Sequence, residues 1–209
     1  MSAMAPQTVY VVDDDGSTRE LLAWLMKRNA IACETFADAK SFLAGFPAGA
    51  SGCLVLDLAM PEVTGLDLQH LLAERGGSLP IVFLTGRGDI RSCAEAMKEG
   101  AVDFLTKPVD ESDLLAAVSR ALERACALQR ERGDRNRVES ALSVLTPRER
   151  QVLDQVVAGR RNKQIAADLG TVEKTIKFHR GNLMRKLGAR SVAELVRLVQ
   201  QASVATRIS

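Results

Sequence analysis

The stretch CLVLDLAMP, residues 53–61, decides how the first half of the chain folds. Four uncharged residues run into one carboxylate, Asp57, and Pro61 then marks a loop. Such a short apolar run between turn residues is typical of a strand that is buried on both faces of a parallel sheet. Asp57 then stands at the C-terminal end of that strand, where open α/β sheets bind ligands. A carboxylate there can hold a metal or act as a nucleophile, although it can also simply begin the loop.

Composition limits the classes of protein to which the chain can belong. Its 209 residues suit one large domain or two small ones, and 46% of them are hydrophobic, as in ordinary globular proteins. No stretch of sequence approaches the ~20 apolar residues of a membrane span, and no signal peptide opens the chain. We therefore expect a cytoplasmic protein without a membrane partner.

The spacing of the cysteines and the number of histidines argue against disulfide bonds and against a zinc site. The cysteines are widely scattered without a CxxC pair, which is typical of small buried apolar residues in a reducing cytosol. The two histidines, His70 and His179, are too few for a histidine-based metal site. The four cysteines are Cys33, Cys53, Cys93 and Cys126.

The net charge of +2 conceals an acidic half and a basic half. Residues 1–125 carry 11 basic and 18 acidic side chains, a net charge of −7, whereas residues 142–209 carry 13 and 5, a net charge of +8. This asymmetry predicts two domains with different partners, joined by a linker over residues 126–141. The basic domain is the candidate for binding nucleic acid.

Strand and helix patterns alternate five times in the first half. Apolar or β-branched strands are predicted at 8–12, at 32–36, in the stretch that ends at Asp57, at 80–85 and at 102–105. Helices are predicted at 17–29, from the cap Asp38 to before Pro47, at 66–75, at 90–99 and from near Glu111. Five β–α units in series imply an α/β fold, a doubly wound five-stranded parallel sheet.

The ends of these strands collect a set of chemically matched side chains. They are Asp13, Asp14, Asp57, Thr85 and Lys107, which must share one edge if the sheet is parallel. Three crowded carboxylates repel one another without a cation, and an all-oxygen ligand set suits Mg²⁺. A hydroxyl and an ammonium beside them provide a donor and a positive charge for an anion. The group therefore predicts phosphoryl transfer onto Asp57.

These motifs resemble the receiver domain of two-component response regulators over roughly residues 6–125. The matching segments are VVDDD at 11–15, DLAMPEVTG at 57–65, Thr85–Gly86 and Lys107–Pro108. The resemblance implies that Asp57 is the phosphoacceptor and that Asp14, Asp57 and the backbone carbonyl of Ala59 bind Mg²⁺ directly. It implies that Asp13 acts mostly through water.

The resemblance also assigns the residues that respond to phosphorylation. Thr85 and Lys107 would contact the phosphoryl group, and the Lys107–Pro108 bond is usually cis in this family. Phe104 fits the position of the switch aromatic, which moves between buried and exposed rotamers. A phenylalanine in a strand is more often plain core, so that alternative stays open for Phe104.

A long amphipathic helix is predicted to follow the receiver-like half. From Glu111 onward apolar residues recur every three or four positions for five turns or more. Residues 130–137 are densely charged and include Gly133, which costs a helix about 1 kcal/mol relative to alanine and favours a break. The linker at 126–141 is therefore either a solvated connection or, as we favour, a mostly helical spacer.

The basic half predicts four short helices. Thr146 and Glu149 form a capping box around Pro147, and the helix they begin ends at Gly159. A second helix is predicted at 162–169, a third at 172–187 and a fourth that begins at the cap Ser191. A tight turn at Gly170 between the second and third helices predicts a helix–turn–helix pair in a small bundle.

The third helix carries cations of nearly one sign on its outer face. This is more than an ordinary solvated face, because it follows a tight turn in a domain of charge +8, and it favours contact with phosphates. Such a helix would lie in the major groove of double-stranded DNA. The cations and the histidine beside them are Lys174, Lys177, His179, Arg180, Arg185 and Lys186.

The segments TPRER at 146–150, NKQIA at 162–166 and TIKFH at 175–179 resemble the LuxR-type helix–turn–helix module. Together with the receiver, the whole chain is similar to the NarL/FixJ family of response regulators, nearest its FixJ-like branch. The resemblance implies base-facing positions at Lys177, Phe178 and Gly181. Lys174, Thr175, Arg180 and Asn182 are better placed for phosphates, and Lys186 is a further predicted DNA contact.

Two residues depart from the pattern of that module. Relatives often carry lysine where this chain has Gly181, which leaves base contact at that position in doubt. The usual serine N-cap of the third helix is Val172 here, and valine cannot cap. Either Thr171 replaces it, or the start of the helix frays at a cost of ~1 kcal/mol.

These features predict a phosphorylation-activated transcription factor. The receiver domain is placed at residues 1–125, the helical linker at 126–141 and the DNA-binding domain at 142–209. The expected partners are a cognate sensor histidine kinase, promoter DNA, RNA polymerase and, when Asp57 is phosphorylated, a second copy of the chain. No enzymatic turnover is expected beyond slow self-dephosphorylation.

Two other classes compete with this interpretation. A phosphatase of the haloacid-dehalogenase type also uses an aspartate nucleophile, but it needs a second aspartate two residues later, where this chain has Ala59. The second competing class is a DNA-binding or scaffold protein that retains the acidic site without using it. Incorporation of an acyl phosphate with and without Mg²⁺ would separate the three classes.

Overall fold

A computed structural model describes residues 7–46, 51–75, 79–86, 94 and 96–206, with side chains as far as residue 200. The chain divides into two compact units, residues 1–129 and 130–209. Within the described part of the chain, no helix combines the length and the apolar character that crossing a bilayer would require.

The N-terminal unit is built on a five-stranded sheet. Every neighbouring pair of strands is parallel, and the order across the sheet is β2-β1-β3-β4-β5. The predicted doubly wound sheet is therefore confirmed. The strands are β1 at Thr8–Val12, β2 at Ala32–Phe36, β3 at Gly52–Asp57, β4 at Ile81–Thr85 and β5 at Asp103–Thr106.

Helices cover both faces of this sheet. Helix α1 and the beginning of α4 pack on one face, against side chains such as Val9, Val55 and Leu84. Helices α2 and α3 pack on the other, around Phe42, Leu56 and Leu68. The helices are α1 at Gly16–Arg28, α2 at Ala39–Gly45, α3 at Gly65–Glu74 and α4 at Glu111–Ser143.

The predicted double burial of the Asp57 strand is confirmed, since all six residues of β3 are buried. Its Cys53 is buried as expected, whereas Cys33 and Cys126 are only partly buried and Cys93 lies outside the described residues. The helix predicted at 90–99 also lies largely outside them, although Ala94 and residues 96–98 are helical.

Helix α4 extends without interruption through Gly133, so the break favoured there was wrong. A single glycine costs only about 1 kcal/mol relative to alanine, which its helical neighbours can offset. Two ion pairs at helical spacing lie beside it, Arg137 with Asp134 at 3.5 Å and Arg135 with Glu139 at 2.9 Å. The linker is helical, as the spacer alternative predicted.

The C-terminal unit contains the four predicted short helices. They share one apolar core, which includes Val152, Ile165, Ile176, Leu183 and Leu195. The helices are α5 at Pro147–Val157, α6 at Asn162–Asp168, α7 at Glu173–Lys186 and α8 at Val192–Thr206.

The ends of these helices are set largely as predicted. Thr146 and Glu149 form the complete capping box of α5, and the Ser191 hydroxyl accepts the backbone N–H of Glu194 at 3.1 Å. Helix α7 starts instead on Val172, which occupies the N-cap position without a side-chain hydrogen bond. Thr171 therefore does not replace it as the cap.

Candidate functional site

The acidic site lies where β1 and β3, neighbouring strands of the sheet, both end. Val12 pairs with Leu56 in the register of the two strands, which places Asp13 beside Asp57. Carboxylate oxygens of Asp13, Asp14 and Asp57 lie within 4.8 Å of one another. Asp13 and Asp57 are buried, whereas Asp14 is exposed, so solvent reaches the cluster at Asp14.

Lys107 supplies the positive charge of the site. Its Nζ lies 2.6 Å from Oδ2 of Asp13 and 2.9 Å from Oδ2 of Asp57. The backbone N–H of Lys107 donates to the carbonyl of Thr85 at 2.7 Å, which ties the loop after β5 to the end of β4. The site therefore brings together side chains that follow or end β1, β3 and β5, and the backbone of Thr85 joins them at the end of β4, as the parallel sheet predicted.

Burial and charge act on Lys107 and Asp13 in opposite directions. Burial lowers the pKa of Lys107, but its hydrogen bonds to Asp13 and Asp57 outweigh burial and leave that pKa raised. Burial raises the pKa of Asp13, although the Lys107 ammonium and the backbone N–H of Asp15 oppose the change. A further cation would reduce the repulsion among the three carboxylates, because Lys107 neutralises only part of their negative charge.

Backbone groups and one arginine hold the acids in place. The N–H of Asp15 donates to Oδ1 of Asp13 at 3.0 Å, and the N–H of Ala59 lies 3.4 Å from Oδ1 of Asp57. Arg19 on α1 donates to the carbonyls of Asp13 and Asp14 at 2.7 and 3.0 Å. Sequence reasoning missed Arg19, because its place on the first turns of α1 carries no signal of a contact with the site.

Gly65 allows α3 to begin directly against the end of β3. A Cβ at this position would lie 2.5 Å from the carbonyl oxygen of Asp57, closer than any real contact. The N–H of Gly65 donates to the carbonyl of Leu58 at 3.0 Å. Gly65 thus has a steric role in positioning Asp57.

Thr85 and Phe104 differ in their exposure. Thr85 is buried at the end of β4. Phe104 is 41% exposed, although its neighbour in register, Phe83, is fully buried. The alternative that Phe104 is core is therefore wrong, and the Lys107–Pro108 bond is cis, as the family resemblance implied.

The three carboxylates fit Mg²⁺ by their chemistry. Carboxylate and backbone carbonyl oxygens are the ligands that this ion takes in proteins, together with water. The exposed Asp14 and Ala59 leave the cluster accessible from solvent. The acidic pocket is therefore typical of a magnesium site in a receiver domain.

The outer face of α7 carries part of the predicted DNA-contact set. Lys174, Lys177 and Phe178 are exposed, with Phe178 at 65%. Lys177 lies 3.4 Å from Glu173, an exposed pair that is worth little energy. Gly181 is also exposed, and nothing lies within 4 Å of where its Cβ would be. Thr175 is only half-buried beside them.

Three other predicted DNA contacts are engaged within the protein. Arg180 donates to Oδ1 of Asn162 on α6, and Asn182 accepts from Arg185 at 2.9 Å. Lys186 lies 2.6 Å from Oε2 of the buried Glu149. The spacing of α7 alone cannot reveal these partners, because they belong mostly to other helices.

Two families of known proteins match the two units. The response regulator receiver domain family matches residues 9–119. The family described as bacterial regulatory proteins, luxR family, matches residues 143–199. The range matched by the receiver family includes the acidic site, and the range matched by the luxR family includes α7.

Known relatives match nearly the whole chain. The transcriptional regulatory protein TdiR of Thauera aromatica is 44% identical over 200 residues, 94% of this chain and 86% of TdiR. The transcriptional regulatory protein FixJ of Rhizobium meliloti is 40% identical over 195 residues, 93% of this chain and 96% of FixJ.

Solved structures agree with these relatives. The response regulator StyR superposes with a TM-score of 0.82 at 44% identity and covers 94% of this chain and 100% of its own. Full-length FixJ from B. japonicum gives a TM-score of 0.58 at 35% identity, and the match covers 96% of this chain and 99% of the FixJ chain. The chain therefore belongs to the NarL/FixJ family of two-component response regulators, in which a receiver domain precedes a LuxR-type DNA-binding domain.

Proposed function

We propose that Asp57 accepts a phosphoryl group from a sensor histidine kinase and that the resulting anion activates binding to promoter DNA. One observation carries this proposal: the Lys107 ammonium bridges the buried Asp13 and Asp57, 2.6 and 2.9 Å from their carboxylates. Asp57 is thereby oriented at the end of its strand, with the positive charge of Lys107 beside its carboxylate.

In the proposed transfer, a carboxylate oxygen of Asp57 attacks the phosphorus of a phosphohistidine. A P–O bond forms as the P–N bond breaks, and the histidine nitrogen leaves with the electron pair of that bond. The chain's own contribution is to orient the nucleophile and to hold positive charge beside the transferred group. Lys107 provides that charge, and the Thr85 hydroxyl provides a donor.

We assign Asp13, Asp14, Asp57 and the carbonyl of Ala59 as the residues that would hold Mg²⁺, with Asp13 acting mostly through water. When bound, the ion supplies positive charge that offsets the carboxylates and the phosphoryl oxygens. This is supported by the mutual distances of the three carboxylates and by the exposure of Asp14.

The switch that follows requires different contacts in the two states. A phosphoryl group on Asp57 would draw Lys107 and Thr85 toward its oxygens, and Phe104, now 41% exposed, would change its rotamer. We propose that this repacking favours a homodimer in the cytoplasm. The dimer would place two α7 helices on an inverted repeat of promoter DNA and act on RNA polymerase.

On DNA, we assign base contacts to Lys177, Phe178 and Gly181 and phosphate contacts to Lys174, Thr175, Arg180 and Asn182. The exposure of Lys174, Lys177 and Phe178 supports contact of these three residues with DNA. We expect no catalytic turnover by the chain beyond slow hydrolysis of its own aspartyl phosphate.

Labelling with a small acyl phosphate tests the acceptor assignment. The wild type should become phosphorylated in the presence of Mg²⁺, Asp57→Asn should not, and the fold should persist in both. The matched control is Asp154→Asn, which alters an exposed aspartate of α5 in the other unit and should label like the wild type. Equal labelling of Asp57→Asn would remove Asp57 as the acceptor.

A further inference from the structure

Three consecutive residues at the start of α5 reach the ends of three other helices. Arg148 donates to the carbonyl of Leu169 at 2.6 Å, where α6 ends. Glu149 accepts from Lys186, the last residue of α7, at 2.6 Å. Arg150 donates to the carbonyl of Leu142 at 3.0 Å, near the end of α4. We call residues 148–150 the α5 junction.

The ion pair of Glu149 with Lys186 joins a buried carboxylate of this junction to a lysine whose side chain is 30% exposed. Glu149 is only 4% exposed, and the same carboxylate accepts from the N–H and hydroxyl of Thr146 at 2.9 and 3.0 Å. Lys186 also donates to the carbonyl of Val144 at 3.2 Å. Leaving a buried carboxylate without its partners is costly, so the Glu149 end of this pair is held more firmly than the carboxylate of an exposed pair.

Apolar packing alone leaves the placement of α7 incompletely defined. Ile176 and Leu183 are fully buried, but hydrophobic contact is non-directional and tolerates small rotations and slides. Hydrogen bonds have defined lengths and angles. Two of them tie α7 to other helices: Lys186 at its end, to Glu149, and Arg180 in its middle, to Asn162.

We propose that the Glu149–Lys186 pair positions α7 for sequence-specific contact with DNA, and that Lys186 serves this pair instead of binding a phosphate. The proposal rests on the DNA-binding role of the C-terminal unit. It makes Glu149 a positioning residue, because the residue acts on DNA only through the orientation of α7.

Glu149→Gln separates this role from simple electrostatics. Glutamine at the third position of a helix keeps the capping box with Thr146, so the start of α5 should persist. Removing a negative charge from a domain of charge +8 should strengthen attraction to any DNA. If loss of the ion pair with Lys186 displaces α7, binding to a specific site weakens instead.

The experiment measures binding of the full chain to a duplex that the wild type selects from random sequence, and to a scrambled duplex, over a salt series. We expect Glu149→Gln and Lys186→Met to weaken binding to the selected duplex roughly tenfold, the scale of a charged hydrogen bond. Binding of Glu149→Gln to the scrambled duplex should stay the same or strengthen, and binding of Lys186→Met to that duplex should weaken much less than tenfold. Lys186→Arg, which keeps the cation, should restore most of the lost discrimination.

The salt slope distinguishes positioning from phosphate contact. Lys186→Met should leave the slope for the selected duplex unchanged, whereas the control Lys174→Met should reduce it by about 0.9, the effect of one lost phosphate contact. Melting curves fix an assay temperature at which every variant is folded.

Three outcomes would overturn the proposal. A reduced slope for Lys186→Met with unchanged discrimination would make Lys186 a phosphate ligand. An equal loss on both duplexes would make the pair merely structural. A wild type that selects no sequence at all would instead refute sequence-specific DNA binding itself, and the positioning role with it.

Discussion

Gly65 shows at the residue scale how a missing side chain positions a functional one. Because a Cβ there would lie 2.5 Å from the backbone oxygen of Asp57, Gly65→Ala must displace either α3 or the end of β3. We expect the free energy of unfolding to fall by about 1–3 kcal/mol, the usual cost of overpacking. Chemical denaturation of the purified variant measures this change.

The control for Gly65→Ala is Gly86→Ala, since nothing lies within 4 Å of where a Cβ would stand at Gly86. Its stability should stay within about 0.5 kcal/mol of the wild type. Phosphorylation of Gly65→Ala should also slow, because the clash involves the backbone of the acceptor itself. A Gly65→Ala protein with unchanged stability would show that the helix start can move without cost.

Glu149 gives the C-terminal unit a predictable response to acid. The hydrogen bond from Lys186, followed by those from Thr146, lowers the pKa of Glu149 from 4.5 to about 2. A carboxyl with a depressed pKa in the folded state stabilises that state fully above its unfolded pKa and loses this contribution as pH falls. The C-terminal unit should therefore lose up to about 3 kcal/mol between pH 4.5 and 2 through this residue.

Amide hydrogen exchange of α5 and α7 over that pH range measures the effect. Glu149→Gln, which does not titrate, should remove this part of the pH dependence and lower the stability at neutral pH. Asp154→Asn, an exposed aspartate on the same helix, serves as the control and should follow the wild type. If the exchange rates of wild type and Glu149→Gln changed with pH in the same way, titration of Glu149 would not be coupled to the stability of this unit.

Sequence reasoning could bring the residues of the acidic site together, but it could not find the partner of Lys186. Asp13, Asp57 and Lys107 each follow or end an apolar strand, so parallel topology alone brings them to one edge. Lys186 sits on a face of α7 that helical spacing marks as cationic and outward. Its partner, Glu149, comes from another helix 37 residues earlier, and no local pattern encodes that pairing.

At the scale of elements, strands were predictable because burial determines their composition. Residues of β3 are buried on both faces, and the sequence shows this as an unbroken uncharged run. The exposure of Phe104 was not predictable in the same way, because β5 is the edge strand of the sheet and alternates between half-buried and exposed residues. An edge strand can present an aromatic residue outward without any local sign.

The uncapped start of α7 yields a prediction about this element. Val172 leaves the first backbone N–H groups without a side-chain acceptor. Val172→Ser should therefore stabilise the C-terminal unit by about 1 kcal/mol, since serine is a preferred N-cap. Thermal unfolding followed by circular dichroism measures the gain, and Val172→Ala, which cannot cap, controls for loss of the exposed valine.

The same substitution should sharpen DNA binding if the start of α7 enters the major groove. A preformed first turn reduces the ordering cost on binding, so affinity for the selected duplex should rise in Val172→Ser but not in Val172→Ala. A stabilised variant that binds more weakly would indicate that Val172, 64% exposed, makes its own contact with DNA.

At the scale of the whole molecule, Mg²⁺ should stabilise one of the two units and not the other. The three carboxylates that would hold the ion lie in residues 1–129, and they are only partly neutralised by Lys107. Mg²⁺ at ~100 times its dissociation constant should stabilise the state that binds it by about 2.7 kcal/mol. Hydrogen exchange in the sheet should slow accordingly, while exchange in α5 to α8 should stay the same.

Two variants make this prediction specific to the acidic site. Asp14→Asn removes the exposed carboxylate of the cluster without touching the Lys107 contacts, and it should abolish most of the Mg²⁺ response. Asp154→Asn, in the other unit, should retain it. A sheet whose exchange is indifferent to Mg²⁺ in the wild type would count against the ion. Equal protection of both units would mean that Mg²⁺ acts on the chain as a general salt, because a bound ion can stabilise only the unit whose unfolding releases it.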